Sequence, residues 1–163
     1  MLSINNTLQK IEKGLSIISW VATILITFVI ITDIFLRFLF NKPIPGSWEF
    51  SEVIMPYIVL FALAYTLEKD GHVRMRLVTN LLSSKFQFGC EIFSNIVSAV
   101  FCVIVTYISW LYFWDSFIIR EEMLAAIKIP WWLGKFAMPV GMATLSARYI
   151  MQLINLLHRH RQL

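Results

Sequence analysis

Long apolar runs, separated by short polar breaks, set the character of this chain. The runs cover approximately 15–36, 48–67, 86–113 and 134–157. A helix needs about 20 residues to cross the hydrocarbon core of a bilayer. The first, third and fourth runs reach that length within their apolar stretch. The second reaches it when it begins at Trp48 and carries Glu49 and Glu52 at its mouth. One such run could be a buried core helix of a soluble protein. Four of them leave too little polar sequence to cover a soluble core. The expected fold class is therefore an all-α membrane protein, a single domain over 1–163 with four transmembrane helices and short amphipathic interfacial segments.

Composition sharpens this picture. Hydrophobic residues make up 58% of the chain and charged residues 15%. The charges gather between the apolar runs, as they must when lipid excludes charge and unpaired backbone. The net charge of +4 comes without a long basic block. A phosphate-tracking surface is missing, so no nucleic-acid partner is expected. Membrane lipid is the expected surrounding. The first run lacks a small-residue cleavage site and exceeds the usual signal core, so it is expected to remain as the first helix.

Four spans put both termini on one side of the membrane. Lys10, Lys13, Lys69, Arg74, Arg76, Lys85, Arg159 and Arg161 lie on that side, against Arg37, Lys42, Arg120, Lys128 and Lys135 on the other. This bias places both termini in the cytoplasm. The six tryptophans mostly fall near expected helix ends, where their rings suit the interface.

The connections carry the polar candidates. The break at 41–47 holds two prolines and a glycine, a stiff turn. Ser47 is placed to cap the second helix, with Glu49 in its first turn near the positive end of the dipole. Asp33 and Arg37 stand four apart and can pair across one helical turn. Asp33, Arg37, Glu49 and Glu52 are thus expected as a polar cluster at the outer interface, serving helix-end solvation, structural pairing or docking of another subunit. In the inner connection, 73–83 alternates as a short in-plane helix, with His72, Arg74 and Arg76 beside it. A second, weaker amphipathic pattern runs over 117–128. In the fourth helix Pro139 can introduce a kink. Ala137 and Gly141 form a small-xxx-small face. Arg148 is expected to snorkel, or to pair within the bundle or with another protein.

Catalytic chemistry finds little foothold. The three histidines lie in loops or at the C-terminus, so no intramembrane pair can hold haem. The sequence has no H-E-x-x-H metal signature and no phosphate loop. Cys90 and Cys102 fall on one helix roughly 18 Å apart, too far to bridge. An ion-coupled carrier normally needs polar residues or broken helices near the midplane, and these runs are nearly continuous. No enzyme activity, metal or cofactor is expected.

The sequence resembles the small, DctQ-like membrane subunit of tripartite ATP-independent periplasmic (TRAP) transporters. The resemblance rests on the run from Asp33 through Arg37 to Asn41, then Pro43, then Glu49 and Glu52. It continues through Ala62-Leu63-Ala64-Tyr65, Gly71-His72-Val73-Arg74, the stretch from Trp132 to Lys135, and Met138-Pro139-Val140-Gly141. It implies a bacterial inner-membrane protein working with a periplasmic substrate-binding protein and a large multispanning subunit. That large subunit would move an organic anion by an elevator-type motion coupled to sodium. The anion would be of the sialic acid or C4-dicarboxylate class. The small subunit would hold neither substrate nor sodium; it would scaffold the static part and aid docking of the binding protein. Because the chain ends just after the fourth helix, the large subunit is expected as a separate chain. On this reading Arg37, Glu49 and Glu52 are outer-face contacts, and His72, Arg74 and Arg76 shape the inner face. A self-contained four-helix channel or carrier, a cofactor-bearing membrane enzyme and a general assembly factor are the competing readings.

Overall fold

A computed structural model of the chain describes the backbone of residues 2–68, 84–123 and 128–160, with side chains for 6–67, 86–123 and 128–156. Among these residues the chain is built of helices: α1 (Leu2–Phe40), α2 (Ser47–Glu68), α3 (Ser84–Ile118) and α4 (Trp131–His160). The ends of α1 and α3 and the starts of α2 and α4 share one end of the molecule, here the turn end.

α1 spans 39 residues and begins at Leu2, well before the first apolar run. At 1.5 Å per residue it is ~58 Å long, far more than a hydrocarbon core requires. Its inward stripe explains the extension: Glu12, Ser16, Ser19 and Asp33 are buried, at spacings close to a 3.5-residue repeat. The Ser19 hydroxyl donates to the Ile58 carbonyl of α2 at 2.6 Å. α1 stops at Asn41, whose φ of 52° places it in the left-handed region. The Asn41 N–H bonds the Arg37 carbonyl at 3.1 Å and the Lys42 N–H the Leu36 carbonyl at 3.5 Å, a left-handed cap that asparagine tolerates.

α2 starts one residue earlier than a Ser47 cap requires. Gly46, at φ 81°, takes the cap position, because its carbonyl accepts the first helical bond from Phe50 N–H. The Ser47 N–H instead bonds the Ile44 carbonyl at 3.3 Å.

α3 carries a heptad-like stripe of Asn95, Ala99, Cys102, Ser109, Phe113 and Ser116, all buried. It continues through Trp114 to Ile118 because the aromatic residues there keep packing. Phe113 lies 5.3 Å from Phe136 of α4, and Phe117 meets Trp132 edge-on at 5.3 Å. The amphipathic segment expected over 117–128 does not form in its described part. Phe117 belongs to α3, the chain turns at 119–120, and Glu122 bridges Pro130 in extended conformation. The cause is the left-handed cap at Arg120, which redirects the backbone before another helical turn can close. The inner segment 73–83 lies outside the described residues.

The helices pack as a row rather than a closed bundle. α4 lies between α3 and α2, and α1 packs on the far side of α2 with only light contact to α4. α1 and α3 are therefore edge helices without substantial contact between them. Their outward faces expose large apolar side chains, such as Ile24, Phe28 and Phe35 on α1 and Phe93, Phe101 and Ile104 on α3. The interior mixes small and polar residues, Ala64, Ala99, Ala137, Ser109, Ser116 and Ser146, with a few large apolar side chains such as Phe61, Leu67, Phe113 and Leu145. Large apolar side chains outside and many small or polar residues inside suit helices solvated by lipid.

α1, α2 and α3 are long and apolar enough to cross a membrane. The described part of α4 does not meet that hydropathy measure, although its 30 residues extend for ~45 Å. The reason is its polar inward face, where Ser146 and Arg148 are buried. The expectation of four apolar runs thus holds on hydropathy for three helices, with α4 sheltered between its neighbours.

Candidate functional site

The outer cluster expected from sequence divides into two separate groups at the turn end. In the first, Asp33 organises the α1–α2 turn. Its Oδ2 accepts from Arg37 Nη2 at 2.8 Å, and its Oδ1 accepts from the Ile44 N–H at 2.6 Å. The carboxylate thus ties the end of α1 to the turn that leads into α2. Arg37 is far more open, with 62% of its side chain exposed against 10% for Asp33. An exposed pair of this kind contributes little by itself, whereas the bond to Ile44 N–H fixes backbone. Asp33→Ala is therefore expected to lower the melting temperature clearly more than Arg37→Ala. Thermal melts of the two variants in the same detergent check this. Equal effects would reduce Asp33 to a partner for Arg37.

Glu49 and Glu52 belong to the second group. They line a cavity of about 350 Å³ together with Trp48, Glu121, Glu122, Met123 and Trp131. Among the described residues neither Glu49 nor Glu52 makes a hydrogen bond or ion pair, so both carboxylates face this acidic opening. Glu49 sits in the first turn of α2, where the helix dipole favours a negative charge.

Glu121 ties α3, the connector and α4 together. Its Oε2 accepts from Lys135 Nζ at 2.5 Å and from the buried Ser116 hydroxyl at 2.6 Å. Its backbone carbonyl also accepts from Trp131 N–H at 2.9 Å. The bonds from Lys135 and then Ser116 hold the carboxyl below its ordinary value, against the opposing effect of burial. A depressed carboxylate contributes stability that is present above the unfolded value and is lost as pH falls through the lower, folded value. The α3–α4 closure is accordingly expected to stay intact as pH drops through the ordinary glutamate range and to loosen only below it. Tryptophan fluorescence of the 110–132 aromatic cluster during acid titration reports the transition. Glu121→Gln should remove this step from the profile.

Toward the opposite end, Arg148 neither snorkels nor faces outward. It is 6% exposed and pairs with Glu12, which is fully buried. Arg148 Nε donates to Glu12 Oε1 at 2.7 Å and Nη2 donates to Oε2, a two-pronged contact linking α1 with α4. Sequence reading passed over Glu12 because it precedes the first apolar run. The available signal was its register: Glu12, Ser16 and Ser19 follow one helical stripe of small and polar residues. Glu121 and Lys135 were missed as a pair, since one lies in a loop and the other in a helix. His72, Arg74 and Arg76 lie outside the described residues.

No catalytic arrangement emerges from these contacts. Among the described residues no group of three or more His, Cys, Asp or Glu side chains is placed to hold a metal. Cys90 is exposed and Cys102 buried, both free. The remaining resource is surface: two apolar edge helices and an acidic, tryptophan-lined turn end.

A protein-family model described as "Tripartite ATP-independent periplasmic transporters, DctQ component" matches residues 26–159. The match takes in Asp33, Arg37, Glu49, Glu52, His72, Arg74, Arg76 and Arg148, and begins after Glu12. No curated protein matches the chain.

Proposed function

The chain belongs to the family of DctQ components of tripartite ATP-independent periplasmic transporters, and we propose that it forms the fixed membrane support of a larger carrier subunit. The observation carrying this reading is the open row of helices. A self-contained pore needs a lumen enclosed on all sides, whereas here the two edge helices stand apart with apolar faces outward. Such a row can broaden the footprint of a partner and resist its tilting. An elevator needs this support, since one domain must stay still while another slides.

In this reading the large subunit is a separate multispanning chain that carries substrate and sodium, and this chain needs no cofactor. The cargo is an organic anion of the sialic acid or C4-dicarboxylate class, captured by the periplasmic binding protein. Both termini lie in the cytoplasm of a bacterium, so the turn end faces the periplasm. Arg37, Glu49 and Glu52 then meet the binding protein or the outer rim of the large subunit. His72, Arg74 and Arg76 shape the cytoplasmic face, and Asp33 and Arg148 serve structural pairing.

A mild-detergent pull-down from native membranes, with partners identified by mass spectrometry, tests the proposal. Recovery with a large multispanning protein whose uptake depends on this chain is the expected outcome. Recovery alone, in a transport-active form, would overturn it in favour of a self-contained channel or carrier. Within the assembled transporter, Glu49→Gln combined with Glu52→Gln is expected to reduce uptake severalfold while assembly persists. Unchanged uptake would remove these carboxylates from the contact surface.

A further inference from the structure

The far end of α3 holds a second cavity, which shares only Glu122 with the acidic one. It measures about 530 Å³ and is walled by Trp114, Phe117 and Ile118 of α3 and Trp132 of α4, with Arg120 and Glu122 of the connector also facing it. The aromatic walls are themselves ordered by ring contacts, Trp114 with Phe117 at 6.2 Å and Phe117 with Trp132 at 5.3 Å. The level is that of the membrane interface, because apolar α3 ends here and charged residues follow at once.

Arg120 occupies an unusual backbone position. Its N–H bonds the Phe117 carbonyl at 3.3 Å, and the next N–H, of Glu121, bonds the Ser116 carbonyl at 3.0 Å. This is a Schellman cap, whose left-handed residue is usually glycine. Arginine at φ 49° carries a Cβ that the conformation disfavours. Local strain of this kind points to a role for the side chain rather than for the turn. The two carboxylates following it in sequence are engaged elsewhere: Glu121 with Lys135 and Ser116, Glu122 with Lys128 at 3.5 Å. Among the described residues the Arg120 guanidinium makes no hydrogen bond or ion pair. Its planar fork of donors matches a phosphate. The Glu122–Lys128 pair is exposed on both sides, hence weak and exchangeable.

We propose that this cavity binds one phospholipid of the leaflet at the turn end, with a phosphoethanolamine headgroup. Arg120 takes the phosphate and Glu122 takes the primary ammonium. Trp114, Phe117 and Trp132 cover the glycerol region and the first acyl carbons. One cation and one anion beside an aromatic wall complement a zwitterion better than a net anion. A primary ammonium can donate to Glu122, whereas a quaternary choline cannot.

Native mass spectrometry of the full chain, offered phosphatidylethanolamine, phosphatidylcholine and phosphatidylglycerol of identical acyl chains, tests the assignment. Phosphatidylethanolamine should be retained preferentially. Arg120→Gly should weaken that retention by roughly tenfold or more, as expected for losing a charge-assisted contact. The same substitution should raise the melting temperature of lipid-free protein, since glycine relieves the left-handed cap. Arg120→Asn, which also tolerates this backbone, is the second variant and should lose retention equally. Glu122→Gln should erase the preference for ethanolamine over choline while phosphate-dependent retention persists. Equal retention of all three lipids, or unchanged retention in both Arg120 variants, would overturn the site. So would competition by inorganic phosphate alone at concentrations matching the lipid.

Discussion

Replacing Glu12 with alanine is expected to destabilise the protein by about 3–5 kcal/mol, the cost of breaking a buried ion pair from one side. The variant would take from the buried Arg148 the carboxylate that its Nε and Nη2 donate to. Arg148→Ala should be comparably harmful, because Glu12 is fully buried and its charge would remain. Removing both charges is a different case. Glu12→Leu with Arg148→Met replaces two desolvated ions by apolar side chains of similar reach, a change that is often neutral or stabilising. Thermal melts of the four proteins in one detergent therefore give a signed test. Two damaging single changes and a mild double change identify a register-setting pair. Single variants as stable as the parent would show that the contact contributes nothing. The consequence reaches beyond stability, because α1 is an edge helix with only light contact to α4. Without a hydrophobic drive between helices in lipid, association rests on packing and polar bonds. Besides its packing on α2, the ties of α1 include the Ser19–Ile58 bond, the Asp33 latch and the Glu12–Arg148 pair. Loss of the last should free the first turns of α1 from α4, which a cysteine cross-link between these two helices would report as reduced yield.

The same contact shows where sequence reading reaches its limit. Hydropathy marked α1, α2 and α3 plainly, because lipid imposes a long apolar run on each crossing, whereas the polar inward face of α4 leaves it short of that measure. The i to i+4 spacing of Asp33 and Arg37 gave their pair, since that geometry is local. Order in the row was not legible. α4 lies between α2 and α3 although α3 precedes it, and such adjacency depends on long-range packing with no local signature. The register of Glu12 was open to view, but its pairing was not, since its partner is 136 positions away. The connector after α3 read as amphipathic because Phe117, Ile119 and Met123 recur at helical spacing. A left-handed cap at Arg120 overrode that pattern, and arginine does not advertise such a cap as glycine would. The division of the acidic cluster was likewise hidden. Asp33 is consumed by the turn that follows it, while Glu49 and Glu52 point toward a connector contributed from the other side of the row.

The row includes a close approach of α2 and α4, and the second large effect is expected there. At Gly141 of α4, a Cβ would stand 2.6 Å from Leu60 Cβ and 3.1 Å from the Leu60 carbonyl carbon and oxygen of α2. The obstacle is the stem of a side chain and the backbone behind it, so no rotamer change can make room. Gly141→Ala must push the two helices apart along the stripe of Gly134, Ala137, Gly141 and Leu145. Overpacking of this kind costs about 1–3 kcal/mol, and Gly141→Val should cost more. Helix propensity works in the opposite direction, favouring alanine over glycine by about 1 kcal/mol. Gly14 and Gly89 isolate that opposing effect, because a Cβ at either meets no atom within 4 Å. Gly14→Ala and Gly89→Ala are therefore expected to be neutral or stabilising, while Gly141→Ala destabilises. Leu60→Ala keeps the offending Cβ and should not rescue. Leu60→Gly removes it but leaves the backbone contact, so rescue should be partial. If all three glycine variants melted alike, the close approach of α2 and α4 would not be a determinant of the row. If Gly141→Ala alone fell and Leu60→Gly partly restored it, the central seam would rest on backbone proximity. That seam is what holds α1 and α3 on opposite edges, where their apolar faces stay open to lipid or to a partner.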